Sequence, residues 1–317
     1  MKKILIIGST GQIGSELSIR LRSIYGVDNV ICGYFAPPFP DGFFEAGPTV
    51  EINALNIDRI AEVVKENHID TIYNLAAILS ATAEKNPKLG WDVGIGSLIN
   101  CLDVAKEYNC AVFTPSSIGA FGPSTPKDNT PQDTIQRPTT IYGITKVTGE
   151  LLSDYYFTRF GVDTRSVRFP GIISNMTLPG GGTTDYAVEI FYKAVQGEDF
   201  VCPLRAGTYM DMMYMPDAID ALVNLPEADP SRLVHRNSFN VTAMSFDPEM
   251  IYAEIKKHYP NFKMTYSVDF LKQSIADSWP NKLDDSAARK EWDWNPQYNL
   301  ERMTADMIET LKKRLNK

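Results

Sequence analysis

The chain has 317 residues, enough to bury one large hydrophobic core or two that share a sheet. Its composition, with 44% hydrophobic and 22% charged residues, is that of an ordinary soluble protein. The formal net charge of −8 argues against a nucleic-acid partner, because nucleic acids are usually bound by a basic patch.

The four cysteines and three histidines indicate neither a metal site nor a disulfide framework, because they are scattered along the chain without metal-ligand spacing. We therefore expect no bound metal and a reduced, cytoplasmic location. The apolar run after Met1 is too short for a signal peptide, and no run approaches the length of a membrane span. A membrane partner is therefore not expected.

The N-terminal residues predict a dinucleotide-binding turn. Residues 3–7 are rich in β-branched apolar side chains, typical of a strand buried on both faces of a parallel sheet. Gly8, Gly11 and Gly14 follow directly, before an amphipathic run over residues 16–25. In such a turn the first glycine permits the bend, the second lets a pyrophosphate approach, and the third lets the helix pack close to the strand. The helix N-terminus offers N–H donors to the phosphates.

The second predicted strand, residues 30–34, departs from the usual pattern for NAD. An acidic residue normally stands near the end of this strand and binds the ribose hydroxyls. Here Tyr34 and Phe35 follow Gly33, and the next acidic residue is Asp41. The same stretch contains no arginine that could bind a 2′-phosphate. Tyr34 or Phe35 could stack on adenine or could be ordinary packing residues.

Two further predicted strands bring small and polar residues towards the same crevice. Residues 50–54 predict the third strand, and we expect Asp58 to be the N-cap of the following helix. Asn56 could read the adenine edge or could belong to a turn. Residues 70–75 predict the fourth strand, beyond which small side chains leave room for a nucleotide. The residues concerned are Leu75, Ala76 and Ala77, with Ser80 and Thr82 at the mouth of the crevice.

Three polar residues later in the chain predict proton-transfer chemistry. Ser117 follows a fifth predicted strand at 111–115, and open α/β sheets place chemistry at this edge. Tyr142 and Lys146 are four residues apart at the start of a helix predicted over residues 144–160, so they share one face. An ammonium lowers the pKa of a neighbouring phenol, which could then exchange a proton with a substrate hydroxyl. On spacing alone, the pair could equally be incidental on a surface helix.

The second half of the chain offers candidates for substrate binding. After a sixth predicted strand at 162–169, the run from Pro179 to Tyr186 contains three consecutive glycines and two threonines. It could close on a substrate and donate hydroxyls, or it could be a surface loop that caps the predicted helix at 185–195. Trp279 could wall the pocket or lie in the core. Further predictions are a strand at 237–241 and helices at 92–108, 216–225, 247–258, 284–292 and 300–315.

The alternation of strands and helices predicts an α/β fold, a doubly wound parallel sheet of the Rossmann type with a smaller, interleaved C-terminal substrate lobe. We assign residues 1–175 to the dinucleotide-binding domain, with 209–241 returning to it. Residues 176–317 are assigned mainly to the substrate-binding lobe.

Taken in order, the glycine turn, Ser117, Tyr142 and Lys146 resemble the extended branch of the short-chain dehydrogenase/reductase superfamily. The chain looks closer still to the short-chain-type L-threonine 3-dehydrogenases. The runs that carry this resemblance are 11–17, 79–87, 115–118, 142–146, 179–188, 212–219 and 275–280. That family would have an aspartate in place of Tyr34 and usually one in place of Asn56. These departures predict weaker cofactor affinity or a relaxed preference between NAD and NADP.

The resemblance implies a homodimer that uses NAD to oxidise L-threonine at its 3-hydroxyl to 2-amino-3-oxobutanoate. Ser117 would orient the hydroxyl, Tyr142 would take its proton, and Lys146 would assist Tyr142 and hold the nicotinamide ribose. The expected cofactor-binding residues are Gly8, Gly11, Gln12, Ile13, Gly14, Tyr34, Leu55, Asn56, Leu75, Ala76, Ala77, Tyr142 and Lys146. The expected substrate-binding residues are Ser80, Ser117, Tyr142, Thr183, Thr184, Asp185 and Trp279.

Two alternatives remain at this stage. A nucleotide-sugar epimerase or dehydratase would use the same three residues, but its substrate half should carry basic residues for a diphosphate. A non-catalytic dinucleotide sensor that binds a protein partner would tend to have lost Tyr142 or Lys146, and both residues are present.

Overall fold

The computed structural model describes residues 1–176 and 182–316. Its strands are β1 (Ile4–Ile7), β2 (Val30–Tyr34), β3 (Thr49–Glu51), β4 (Thr71–Asn74), β5 (Ala111–Phe113), β6 (Ser116–Ser117), β7 (Thr164–Arg165), β8 (Val167–Phe169), β9 (Gly171–Ile173), β10 (Phe200–Cys202), β11 (Met210–Tyr214), β12 (Phe239–Asn240), β13 (Met244–Phe246) and β14 (Met264–Tyr266). Its α-helices are α1 (Gln12–Tyr25), α2 (Ile57–Glu66), α3 (Ser80–Lys85), α4 (Pro87–Trp91), α5 (Ser97–Tyr108), α6 (Ile141–Phe160), α7 (Tyr186–Gln196), α8 (Met215–Glu227), α9 (Pro248–Lys256), α10 (Phe270–Ser278), α11 (Ser286–Trp292) and α12 (Leu300–Arg314).

The central sheet is parallel and has the order β3-β2-β1-β4-β5-β7. A second ladder, β6-β8-β12, continues this sheet along the chain. β6 follows β5 and β8 follows β7, and the pairing of Val112 with Thr164 in the first ladder keeps its register in the pairing of Ser116 with Arg168 in the second. The reversal of strand order on either side of β1 and β4 leaves a crevice at the carboxyl edge, where such sheets bind ligands. This topology confirms the predicted doubly wound sheet.

β1 is buried on both faces, as its composition predicted. Ile4 and Ile6 pack into one core with Leu17 of α1, and Leu5 and Ile7 pack into the opposite core. Helices α1 and α8 pack together beside the first of these cores, and α2 and α5 pack together beside the second. The β1–α1 turn is therefore held from both sides of the sheet.

The C-terminal part contains two smaller sheets, β13-β11-β9 and β10-β14, with α7, α9 and α12 packed around a third core. Short helices α3, α4 and α10 were not predicted, because so few turns show no clear hydrophobic period. The predicted cap at Asp58 was wrong, since the Asn56 side chain accepts the Arg59 N–H at 3.1 Å and caps α2. No helix within residues 1–176 and 182–316 combines the length and apolar character that a bilayer crossing requires.

Candidate active site

A cavity of about 530 Å³ lies at the carboxyl edge of the central sheet. This volume falls within the range typical of ligand sites, about 300–1,000 Å³. Most of the predicted site residues line it, namely Gly8, Gly11, Gln12, Ile13, Gly14, Leu75, Ala76, Ala77, Ser80, Ser117, Tyr142, Lys146, Thr183, Thr184, Asp185 and Trp279. Tyr34, Leu55 and Asn56 are not among its lining residues. The predicted glycine loop lies partly outside the described residues, at positions 177–181.

The β1–α1 turn is shaped to admit a dinucleotide pyrophosphate. Gly8 has a φ of +84°, and a Cβ on Gly14 would stand 2.3 Å from the Gly8 carbonyl oxygen, so both positions favour glycine. No side chain caps α1 at Gly11, and its first turn contains no acidic residue. The N–H groups and positive dipole end of α1 therefore face the cavity without a competing carboxylate, which fits a phosphate group.

Tyr142 and Lys146 lie on one face of α6, one turn apart. Thr140 caps this helix by accepting the Gly143 N–H at 3.0 Å, so α6 begins at Ile141, earlier than the sequence suggested. The ammonium nitrogen of Lys146 is 5.4 Å from the centroid of the Tyr142 ring and donates to the Pro115 carbonyl at 2.8 Å. A positive charge is thus held close to the phenol.

Ser117 and Tyr142 are neighbours across Gly119. A Cβ built on Gly119 would be 3.0 Å from two carbons of the Tyr142 ring and 3.5 Å from the Ser117 hydroxyl oxygen. The Ser117 oxygen also accepts the Gly119 N–H at 3.1 Å, which orients it. The fold therefore brings together Ser117, Tyr142 and Lys146 at one wall of the cavity.

Glu150, which also lines the cavity, forms a buried ion pair with Arg168 that was not predicted from the sequence. Glu150 and Arg168 form two hydrogen bonds, of 3.0 and 2.9 Å, and their side chains are 6% and 8% exposed. The Ser116 hydroxyl donates to Glu150, and Gln136 donates to it at 2.7 Å. Glu150 stands one turn after Lys146 on the same face, so the four-residue spacing was the signal that could have revealed it.

The opposite wall is polar but carries few charges. The Ser80 and Thr183 hydroxyl oxygens are 3.3 Å apart, and both residues are buried. Asp185 accepts the Gly182 N–H at 2.7 Å, and the Trp279 side chain is buried at the cavity edge. Among the lining residues that the structure describes, Lys146 is the sole cation.

The wall formed by α3 is joined directly to the helix that carries Tyr142. Glu84 on α3 accepts the N–H of Ile141, the first residue of α6, at 2.7 Å. A carboxylate at a helix N-terminus stabilises the helix by interacting with its dipole. Glu84 was not among the predicted site residues.

Comparison with known proteins gives consistent results. Residues 4–241 match the model of the NAD dependent epimerase/dehydratase family, whose description confirms the NAD cofactor expected from the sequence. An uncharacterized epimerase/dehydratase of Staphylococcus aureus (strain MRSA252) is 54% identical over 314 residues, which is 99% of this chain and 98% of that protein.

Solved structures of L-threonine dehydrogenases are similar over nearly the whole chain. The enzyme from Clostridium difficile has a TM-score of 0.96 at 53% identity and covers 99% of this chain and 98% of its own. The holo form of the GalE-like enzyme from Cupriavidus necator has a TM-score of 0.95 at 47% identity, covering 98% and 100%. These matches confirm the resemblance inferred from the sequence. The chain belongs to the NAD dependent epimerase/dehydratase family.

Proposed function

We propose that this protein oxidises L-threonine at its 3-hydroxyl to 2-amino-3-oxobutanoate. The observation that carries the proposal is the placement of Ser117 and Tyr142 across Gly119, with the Lys146 ammonium beside the phenol. The names of the similar solved structures support the substrate. The sequence relative is named only as an epimerase/dehydratase, so the substrate is the part that needs a test.

In the proposed mechanism, Ser117 and Tyr142 act on the same substrate oxygen. The Ser117 hydroxyl binds and orients the alcohol, while the Tyr142 phenolate accepts its proton. The Lys146 ammonium, 5.4 Å from the centroid of the Tyr142 ring, places a positive charge beside the group that accepts the proton. The bound NAD would supply the acceptor for the hydride of the carbinol carbon. Gly8, Gly11 and Gly14 would hold its pyrophosphate at the α1 N-terminus, with Gln12, Ile13, Leu75, Ala76 and Ala77 as further contacts.

The opposite wall would bind the amino-acid head group. Ser80, Thr183 and Thr184 offer hydroxyls to the substrate carboxylate, and the Asp185 carboxylate can attract the ammonium group. Trp279 covers the cavity edge and limits the size of the substrate. Because a small zwitterion needs neutral donors and one acid rather than a cluster of cations, these side chains support an amino acid as substrate.

A nucleotide-sugar epimerase or dehydratase is the second candidate, favoured by the family description. Such a substrate carries a diphosphate, which proteins usually bind with arginine or lysine. In the part of the cavity that the structure describes, Lys146 is the sole cation, and it already donates to Pro115. We therefore rank this reaction below alcohol oxidation.

The test is a cofactor-reduction assay with L-threonine, using L-serine and simple secondary alcohols as controls. We expect NAD reduction with L-threonine and much slower reduction with the controls. Conversion of a UDP-sugar without net NAD reduction, together with no reaction of L-threonine, would establish the second candidate instead.

We also propose a domain division, an oligomeric state and a cellular location. We propose that residues 1–175, with 209–241, form the cofactor-binding domain and that residues 176–317 form most of the substrate lobe. A homodimer is proposed from the family resemblance alone. A cytoplasmic location is proposed from the cysteine content alone.

A further inference from the structure

We infer that this protein binds NADP nearly as well as NAD, because the end of β2, within the described residues, offers the ribose neither the usual carboxylate nor a cation. The inference extends the proposed function, since it concerns the same cofactor site.

The end of β2 stands directly beside the glycine turn. The Ser9 N–H and hydroxyl both donate to the Gly33 carbonyl, at 3.1 and 2.8 Å, and Ile7 pairs with Gly33 across the β1–β2 ladder. Tyr34 is the next residue. In this fold an acidic side chain at the end of β2 binds the ribose 2′-hydroxyl and disfavours the 2′-phosphate of NADP. Tyr34 therefore occupies the position where the two cofactors are normally distinguished.

The Tyr34 ring packs against other aromatic rings. Its centroid lies 5.4 Å from that of Phe39, 5.9 Å from that of Phe43 and 5.3 Å from that of Phe44, with interplanar angles of 80°, 87° and 89°. Edge-to-face contacts of this kind are favourable. Tyr34 is absent from the residues that line the cavity. Its side chain thus stabilises the segment after β2, and it brings no charge to a ribose or a phosphate.

The charged groups on the neighbouring strand and helix do not favour either cofactor. Glu51 pairs with Tyr34 across the β2–β3 ladder, so it stands one strand further from the glycine turn. Arg59 on α2 donates to the Glu51 carbonyl at 3.3 Å and forms an ion pair with Glu62. The Glu51 carboxylate would repel a 2′-phosphate and the Arg59 guanidinium, already paired with Glu62, would attract it, so the two effects oppose each other. Asp41 and Glu45 lie further along the segment after β2, where both side chains are exposed.

Calorimetric titration with NAD and with NADP tests the inference without relying on turnover. We expect the two Kd values to lie within about fivefold for the wild-type protein. Tyr34→Asp should raise the ratio of the NADP Kd to the NAD Kd at least about tenfold, because a like charge close to a phosphate is costly. Tyr34→Asn is the matched control, since it disturbs the aromatic contacts similarly without adding charge, and its ratio should stay at the wild-type value.

Two results would overturn the inference. One is a wild-type protein that binds NAD more than about fivefold tighter than NADP, which would mean that another acid discriminates. Asp41→Asn and Glu45→Gln would then identify it. The other is an unchanged ratio in a folded Tyr34→Asp protein. Binding of both cofactors without oxidation of L-threonine would contradict the proposed function alone, and binding of NAD alone would contradict this inference alone.

Discussion

The two ends of the cofactor crevice are built differently. At the catalytic end, α6 is tied to the segment before Ser117 by Lys146, which donates to Pro115, and by Glu150, which accepts from Ser116. At the ribose end, the Tyr34 side chain packs against the rings of Phe39, Phe43 and Phe44. Buried polar contacts fix the geometry of a site and tolerate few substitutions. A side chain at the end of a strand, such as Tyr34, can instead be replaced by a charged one without breaking the hydrogen bonds of the sheet. Chemistry and cofactor choice can therefore vary independently in this molecule.

The largest expected effect is that of Tyr142→Phe, which removes the proton acceptor at the catalytic end. Turnover of L-threonine should fall by about 10²–10⁴-fold, the usual contribution of a positioned acid or base. Calorimetric titration should show NAD binding close to that of the wild-type protein. Turnover like that of the wild-type protein in this variant would refute the role of Tyr142.

Glu150→Ala is expected to have the second largest effect, because it leaves Arg168 buried without its partner. Removing one member of a buried ion pair costs about 3–5 kcal/mol. Chemical denaturation should show this loss, and kcat should fall because Ser116, the neighbour of Ser117, loses the carboxylate to which it donates. Glu198→Ala is the matched control: it breaks an ion pair in which the Lys193 and Glu198 side chains are 43% and 54% exposed. Such exposed pairs contribute within about 1 kcal/mol. Equal losses in the two variants would contradict a special role for Glu150.

The exchange of Tyr34 for aspartate comes third and acts on the other end of the crevice. It should change the balance between NAD and NADP while leaving kcat with saturating NAD close to the wild-type value. A large fall in kcat under those conditions would show that the ribose end and the catalytic end of the crevice do not vary independently.

The smallest effect concerns His235, whose ring is hydrogen-bonded to Glu291 and Asp133. Partial burial lowers its pKa, but hydrogen bonds with Glu291 at 2.5 Å and Asp133 at 3.3 Å raise it by more, so the pKa is raised overall. Its contribution to stability is therefore complete below the unfolded pKa, about 6.5, and is lost as the pH rises through the higher folded value. Thermal unfolding should show a small loss of stability over this range. This pH-dependent loss of stability should be absent in His235→Gln. An equal loss in that variant would show that another group causes it.

Local patterns in the sequence were sufficient for much of the fold and for part of the candidate site. The apolar run of β1, the spacing of Gly8, Gly11 and Gly14, and the four-residue interval from Tyr142 to Lys146 each reflect interactions between near neighbours. Such interactions repeat with the period of the element, so a single sequence reveals them. The same reasoning failed at the α2 cap, because Asn56 and Asp58 are both good caps and only the backbone path decides between them.

Only the tertiary structure decided the contacts between distant segments. Ser117 meets Tyr142 because Gly119 allows close approach, and Glu150 meets Arg168 because α6 packs on β6, which pairs with β8. The sequence showed that Tyr34 lacks a charge, but it left open whether the ring stacks on adenine or packs with its neighbours. These contacts depend on how helices and strands stack, and no local period in the chain encodes that arrangement.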